Sequence, residues 1–301
     1  MFDLTTVGHF AIDLISSPTI VSPKPTLGGA PTYVSLTARK LGAQVSVISK
    51  VGEDFPQKYW IWLKSQGVDL SGLKLVKGSL STKFVLEYGN GERKLALTSR
   101  APIICPEDVS IKLRAKAIHT APITNEIPLE VIEKLRTLTN ILSLDPQGFL
   151  RRFDDNGRVC SKKWDYKNIL DKIDVYKSSL GEIETATGTS ELPSAMRKIH
   201  DQGVKIVIVT NGAKGATLSF DGKIHNIPAC KPRINLDPTG AGDAFIGAFL
   251  AEFVREKDPE WCACVGSAAS SFVVEGIGPA VFGEKEEVYY RARQIYGKEL
   301  K

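Results

Sequence analysis

Between Asn235 and Glu252 the chain reads NLDPTGAGDAFIGAFLAE, a run of small residues and a carboxylate at the mouth of an apolar helical stretch. Thr239-Gly240-Ala241-Gly242 predicts a loop that opens a helix. The first N–H groups of a helix have no partner inside it, and the helix dipole adds positive character there. With no side chains in the way, an anion can sit against those amides. Phosphoryl transfer spreads negative charge over equatorial oxygens, and such a cradle stabilises it. Asp243 follows in the first helical turn, where a carboxylate can take the proton of an attacking hydroxyl. The plainer alternative is that Asp243 only favours the helix start and the glycines only make a tight turn.

Two further segments bear on that choice. Leu27-Gly28-Gly29-Ala30-Pro31-Thr32-Tyr33 leads into a helix-like run ending at Leu41-Gly42. A Gly-Gly pair before a helix permits close approach of a ligand to the backbone. Asp13 lies just after the first strand-like segment, where a carboxylate can grip sugar hydroxyls or simply close a turn. The second segment, Val209-Thr210-Asn211-Gly212-Ala213-Lys214-Gly215-Ala216, follows a β-branched run. Open α/β sheets bind ligands at such strand ends, although the same residues also suit an ordinary turn into the next hairpin.

The elements that must position these groups alternate. Residues 4–8, 45–51, 116–120, 141–145, 173–176 and 205–210 read as strands, and 32–41, 56–66, near 127–138 and near 191–201 as helices. This interleaving predicts an α/β fold with a mostly parallel sheet covered on both faces. Residues 9–27, with three prolines, and 82–98, turning at Asn90-Gly91, break the rhythm. They are expected to form a small accessory sheet over the main one. Residues 215–227, turning at Asp221-Gly222, predict a further hairpin. Neither repeat nor linker interrupts the chain, so residues 1–301 are read as one domain with a β lid.

The chain has 301 residues, 43% hydrophobic and 24% charged, enough to bury a large core. Thirty-nine basic residues face 34 acidic ones without a dense basic block, which argues against a nucleic-acid partner. Five unpaired-looking cysteines, none in a C-x-x-C pair, argue against a disulfide framework or zinc knuckle. The N-terminal residues have no basic region of a signal peptide, and the apolar stretch from Trp261 to Val274 is too short for a bilayer. A cytoplasmic protein with no membrane partner is the expectation.

Taken in order, these segments resemble the ribokinase (PfkB) family of carbohydrate kinases over nearly the whole length. Gly28-Gly29, the following helix and Val51-Gly52-Glu53-Asp54 are similar to the family's N-terminal signature. Asp237-Pro238-Thr239-Gly240-Ala241-Gly242-Asp243 is similar to its C-terminal one. The resemblance implies a three-layer ribokinase-like α/β/α fold with a β-sheet lid, and transfer of the γ-phosphoryl of ATP to a sugar or polyol hydroxyl. It implies Asp243 as base and Gly240, Ala241 and Gly242 as the anion hole. It places Asp13, Gly28, Gly29 and Tyr33 at the acceptor. Ser179, Thr210, Asn211, Gly212, Gly215 and Thr239 fall at the nucleotide. Glu182 falls where the family positions Mg2+ through water, and Asp237 where some members hold a monovalent cation such as K+. Dimerisation through the lid is one further implication.

Departures are visible. Ser179 stands where the family's N-x-x-E motif has asparagine, and Tyr33 where sugar kinases often carry another asparagine. Asp145-Pro146-Gln147-Gly148-Phe149-Leu150-Arg151, at a strand end facing the same crevice, is similar to inositol-kinase-like members and adds Gln147 to the acceptor residues. A nucleoside kinase of the same family, or a sugar- or nucleotide-sensing protein that kept the fold without the chemistry, are the alternatives. A dinucleotide reading lacks a G-x-G-x-x-G after the first strand. His9, His119, His200 and His225 show no metal spacing and are expected to be structural, with His9 the nearest to the acceptor. Tyr59, Trp60 and Trp62 read as core or interface, and Arg151-Arg152 as a solvated pair.

Overall fold

In the computed structural model, which describes residues 1–16, 24–89 and 92–297, the alternating runs fold as one large sheet, a small lid sheet and flanking helices. The first half runs β1 (Phe2–Val7), β2 (Ala11–Ser16), β3 (Pro25–Gly28), α1 (Ala30–Lys40), β4 (Val45–Gly52), α2 (Gln57–Ser65), β5 (Asp69–Val76), β6 (Thr82–Gly89), β7 (Glu92–Ser99), β8 (Ala115–Thr120), α3 (Leu129–Arg136) and β9 (Ile141–Leu144). The hairpin β10 (Arg151–Phe153) and β11 (Val159–Ser161) follows. Then come α4 (Lys167–Leu170), β12 (Val175–Ser179), α5 (Leu180–Thr187), α6 (Leu192–His200), β13 (Ile206–Thr210), β14 (Ala216–Phe220), β15 (Lys223–Ile227), α7 (Ala241–Phe253), α8 (Pro259–Val273) and α9 (Lys285–Ile295).

The large sheet has the order β15-β14-β13-β12-β9-β8-β1-β4-β5. From β13 to β5 every neighbouring pair is parallel, and β14 and β15 add an antiparallel edge. Asp221 and Gly222 at that hairpin's turn both have positive φ (49° and 69°), as the sequence predicts for an Asp-Gly pair. Strand residues alternate between two cores. Ile206 and Ile208 of β13 join one apolar cluster with α1, α2, α7, α8 and α9, while Val207 and Val209 join another with α3, α4, α5 and α6. That alternation is what makes the protein three layers thick. Because the strands are parallel, β9, β12 and β13 end on the same rim, and Asp145, Ser179 and Thr210 come to it together.

Residues 9–27 and 82–98 supply the second sheet as expected, in the order β3-β2-β6-β7. The turn at Asn90-Gly91 and residues 17–23 lie outside the described residues. Under the lid, Ala11, Ile15, Phe84 and Leu86 pack on Ala30, Ala121 and Ile123, with Leu95, Leu97 and Phe153 at the margin. The β10–β11 hairpin, absent from the sequence reading, braces the lid: Leu97 N donates to Gly157 O at 2.8 Å, and Ala96 forms an isolated antiparallel bridge with Arg158. Three-residue strands carry too little periodicity to be read from sequence.

Candidate active site

A cavity of about 700 Å3 lies between the lid and the rim of parallel strand ends. At its centre is the start of α7. Gly240 caps this helix in the left-handed region (φ 79°, ψ −2°), and a methyl group there would run into the Tyr33 ring from α1. Glycine is therefore required twice, by conformation and by space. Ala241 N donates back to Pro238 O at 3.2 Å, whereas the N–H groups of Gly240, Gly242 and Asp243 have no partner among the described residues. The open amides thus differ by one residue from the set expected as an anion hole, since Ala241 N–H bonds within the turn.

Asp243 is half-buried and lines the cavity, and its Oδ1 atom, out of solvent, has no hydrogen-bond partner among the described residues. Burial pushes its pKa up; Lys177 and Arg151 pull it down, Asp145 and Glu182 push it further up, and the outcome is about 7. A carboxylate in that range can take up a proton at neutral pH.

Beside it stands a charge that sequence reasoning passed over. The register Tyr176↔Leu144 brings Lys177 of β12 next to Asp145 after β9. Lys177 Nζ donates to Asp145 Oδ2 at 2.7 Å, with both side chains buried (6% and 2% exposed). Burial works against the ammonium, but Asp145, Asp243 and Glu182 outweigh it, so the pKa stands above that of a free lysine. The available signal was a lysine directly after 173–176, a run expected to be a strand covered on both faces, with small residues beyond it. Arg151 was read as solvated; instead it lines the cavity and donates to Ile123 O at 3.3 Å.

The end of the cavity beyond α7 is lined by small residues, among them Gly212, Ala213, Gly215, Ala229 and Ser271, with Thr210 and Thr239, and also by Lys231, Pro232 and Asn235. Asn211 does not reach the cavity wall; it is exposed and organises the turn, its N–H bonding Gly215 O at 2.8 Å. Ser179 caps α5, donating to Glu182 Oε2 at 2.7 Å while Glu182 N returns a bond at 3.4 Å. The serine thus serves as the cap of this helix. Glu182 lines the cavity, and its Oε1 has no partner among the described residues. Asp237 stays outside the wall: Oδ1 accepts from Thr239 N (2.9 Å) and Oδ2 from Gly278 N (3.1 Å).

The end of the cavity under the lid gathers Asp13, Gly29, Tyr33, Gln147 and Arg151, faced by Phe84, Leu86 and Leu95 of the lid and by Ile123. Gly28 is absent from the wall and lies under Asp13, where a side chain would collide with the carboxylate. The four histidines are structural. His9 is buried between Thr82 Oγ1 (2.9 Å) and Pro102 O (3.0 Å). His119, held by Ser143 Oγ at 2.9 Å, has its pKa pushed down to about 3 by burial and then by Lys177. His200 bridges Val204 O and Ser219 Oγ, and His225 stacks on Phe220. Tyr59, Trp60 and Trp62 pack against the core. Among the described residues no helix is long and apolar enough to cross a membrane, and no cluster of three or more His, Cys, Asp or Glu could hold a metal.

The model of the family described as pfkB family carbohydrate kinase matches residues 1–285. A cytidine kinase of Thermococcus kodakarensis is 29% identical over 279 residues, covering 88% of this chain and 94% of the relative. An inositol 3-kinase of Arabidopsis thaliana is 26% identical over 96% of this chain and 80% of the relative. The structure of a pyrophosphate-dependent kinase in the ribokinase family, complexed with a pyrophosphate analog and myo-inositol, superposes with a TM-score of 0.82. It is 26% identical and covers 95% of this chain and 99% of the other.

Proposed function

The chain belongs to the PfkB family of carbohydrate kinases, phosphotransferases acting on hydroxyl groups, and on that premise we propose that it phosphorylates a sugar or polyol at a hydroxyl held between Asp13 and Asp243, with ATP as donor. The observation that carries the reading is that Gly242 and Asp243, whose amides are open, line one cavity, and that the Asp243 carboxylate there keeps its Oδ1 without a hydrogen-bond partner among the described residues. Asp243 accepts the acceptor proton as the oxygen attacks, and the amides meet the charge that develops on the transferring group. Asp13, Gln147 and Arg151 orient the acceptor.

The small residues Gly212, Ala213, Gly215, Ala229 and Ser271 in the cavity wall leave backbone open to a ligand at that end, which supports a nucleotide donor. Mg2+ would accompany it and neutralise phosphate charge. The open Oε1 of Glu182 suits a hard cation held directly or through water. Asp237 accepts from Thr239 N in a tight turn and from Gly278 N across the fold, and its carboxylate and backbone oxygens keep lone pairs with which it could hold a monovalent cation such as K+.

A second reading, a nucleoside acceptor, is favoured by one observation: Phe84, Leu86, Leu95 and Ile123 form an apolar wall that would cover a base once its ribose sits at Asp13. The similarity to a cytidine kinase points the same way. A coupled kinase screen over pentoses, hexoses, inositols and nucleosides separates the two. On the acceptor it identifies, Asp243→Asn should still bind MgADP but lose kcat by about a thousandfold or more. Parental turnover by that variant would overturn the proposed chemistry.

A further inference from the structure

A buried cation needs a reason. Removing an ammonium from water is costly even when it is paired, and the Lys177–Asp145 pair lies at the rim of the catalytic cavity rather than in the core. A methyl group built on Gly242 would stand 2.6 Å from Lys177 Nζ, so the ammonium rests directly against the cradle, one residue before the base. Asp145 is its hydrogen-bond partner among the described residues. An ammonium has three donors, which leaves two for whatever enters the cavity. Asp243 and Glu182, on α7 and α5, are the other charges acting on it. Lys177 thus stands among the base, the open amides and the carboxylate suited to the donor's metal.

Resting on the kinase reading above, we propose that Lys177 is a further catalytic residue, its ammonium contacting the phosphoryl group in flight. In the step, the acceptor oxygen forms a bond to the γ-phosphorus while its proton passes to Asp243. The bond from phosphorus to the bridging oxygen breaks, and its electron pair leaves with ADP. Negative charge spreads over the equatorial oxygens during this exchange, and a fixed cation there stabilises the transition state more than the ground state. Asp145 aims the ammonium and is a positioning residue.

The test uses the full chain and the acceptor found in the screen. Lys177→Met should lower kcat by about 10^2- to 10^4-fold with the KM values for acceptor and ATP changed less than about threefold. By calorimetry, MgADP binding should persist, while the tightening that aluminium fluoride confers on MgADP plus acceptor in the parent should vanish. Lys177→Arg should recover part of both. The double variant Asp145→Leu/Lys177→Met removes the pair together, which spares the fold an unpaired buried charge, and should be as slow as Lys177→Met. The proposal is overturned if either Met-bearing protein, folded by circular dichroism, retains kcat within tenfold of the parent or keeps the aluminium-fluoride tightening. Asp243→Asn run in parallel separates the two ideas: its inactivity beside a fast Lys177→Met variant sinks the role of the lysine alone.

Discussion

Adding one methyl group at Gly28 should move the acceptor carboxylate without changing any charge. Gly28 closes β3, paired with Ala11 across the lid sheet, two register steps from Asp13↔Thr26. A Cβ built there overlaps Oδ2 and Cγ of Asp13 outright and stands 2.9 Å from Oδ1, where ordinary contact begins at 3.4 Å. Oδ1 must withdraw by about half an ångström and Oδ2 by more than about 1 Å, since close-packed interiors leave little slack. Gly28 is not among the positive-φ glycines, so the backbone tolerates alanine. A misplacement of about 1 Å at a positioning group costs on the order of 10^2-fold in rate. Gly28→Ala is therefore expected to lose about 100-fold in kcat/KM for the acceptor with the KM for ATP unchanged. The overpacking itself should cost about 1–3 kcal/mol of stability, read by thermal unfolding. Asp13→Asn, which keeps the shape and removes the charge, is the matched control. If Gly28→Ala turned over the acceptor within threefold of the parent while folded, Asp13 would not be an acceptor group.

Two other predictions follow from the same geometry. With Asp243 titrating near 7 in the free enzyme, kcat/KM for the acceptor should fall about tenfold per pH unit below that value, because protonation removes the base. A profile flat from pH 5.5 to 8 would contradict it, and Asp243→Asn should abolish the limb. Glu126, fully buried, accepts from His9 N, Ile123 N, Thr124 N and Thr124 Oγ1 at 2.7–3.1 Å. Glu126→Leu should cost at least about 3 kcal/mol in denaturant melts by stranding those donors, and should raise the KM for the acceptor because Ile123 loses its anchor.

What the sequence made legible was whatever a short stretch decides for itself. The glycines at 240 and 242, the helix they open and Asp243 in its first turn depend on backbone freedom and local spacing, and they emerged in place. The parallel sheet followed from β-branched runs at helical intervals. Lys177 did not emerge, because its meaning is non-local: only the pairing of β12 with β9 brings it to Asp145. Arg151 was misread for the same reason, since a loop arginine looks solvated until the root of β10 is known to face the cavity. The helix at 180–187 was hidden by Gly181, Thr185 and Thr187, which blur its apolar face; the Ser179–Glu182 capping box starts it instead.

This split between local and non-local signals also explains why the family is readable and the acceptor is not. The groups proposed for donor and chemistry sit on the rim of the large sheet, fixed by strand register and one helix start. The groups proposed for the acceptor come from separate pieces: Asp13, Phe84, Leu86 and Leu95 of the lid, Gly29 and Tyr33 at the start of α1, Ile123 in a loop held by Glu126, Gln147 after β9, and Arg151 at the root of the β10–β11 hairpin. That hairpin ties to the lid through Leu97 N to Gly157 O and through Phe153 against Phe84, and to the Ile123 loop through Arg151. A substitution in any one piece therefore reshapes the acceptor end while the rim stays put. Similarity at 26–29% to kinases named for cytidine and for inositol is the pattern such a division produces. The same brace bears on assembly. Residues 96–97 of β7 are already engaged by this chain's own hairpin, so a second copy adding a strand to the lid would have to displace it there. Of the lid's two edge strands, β3 is the one on which no such hairpin sits among the described residues.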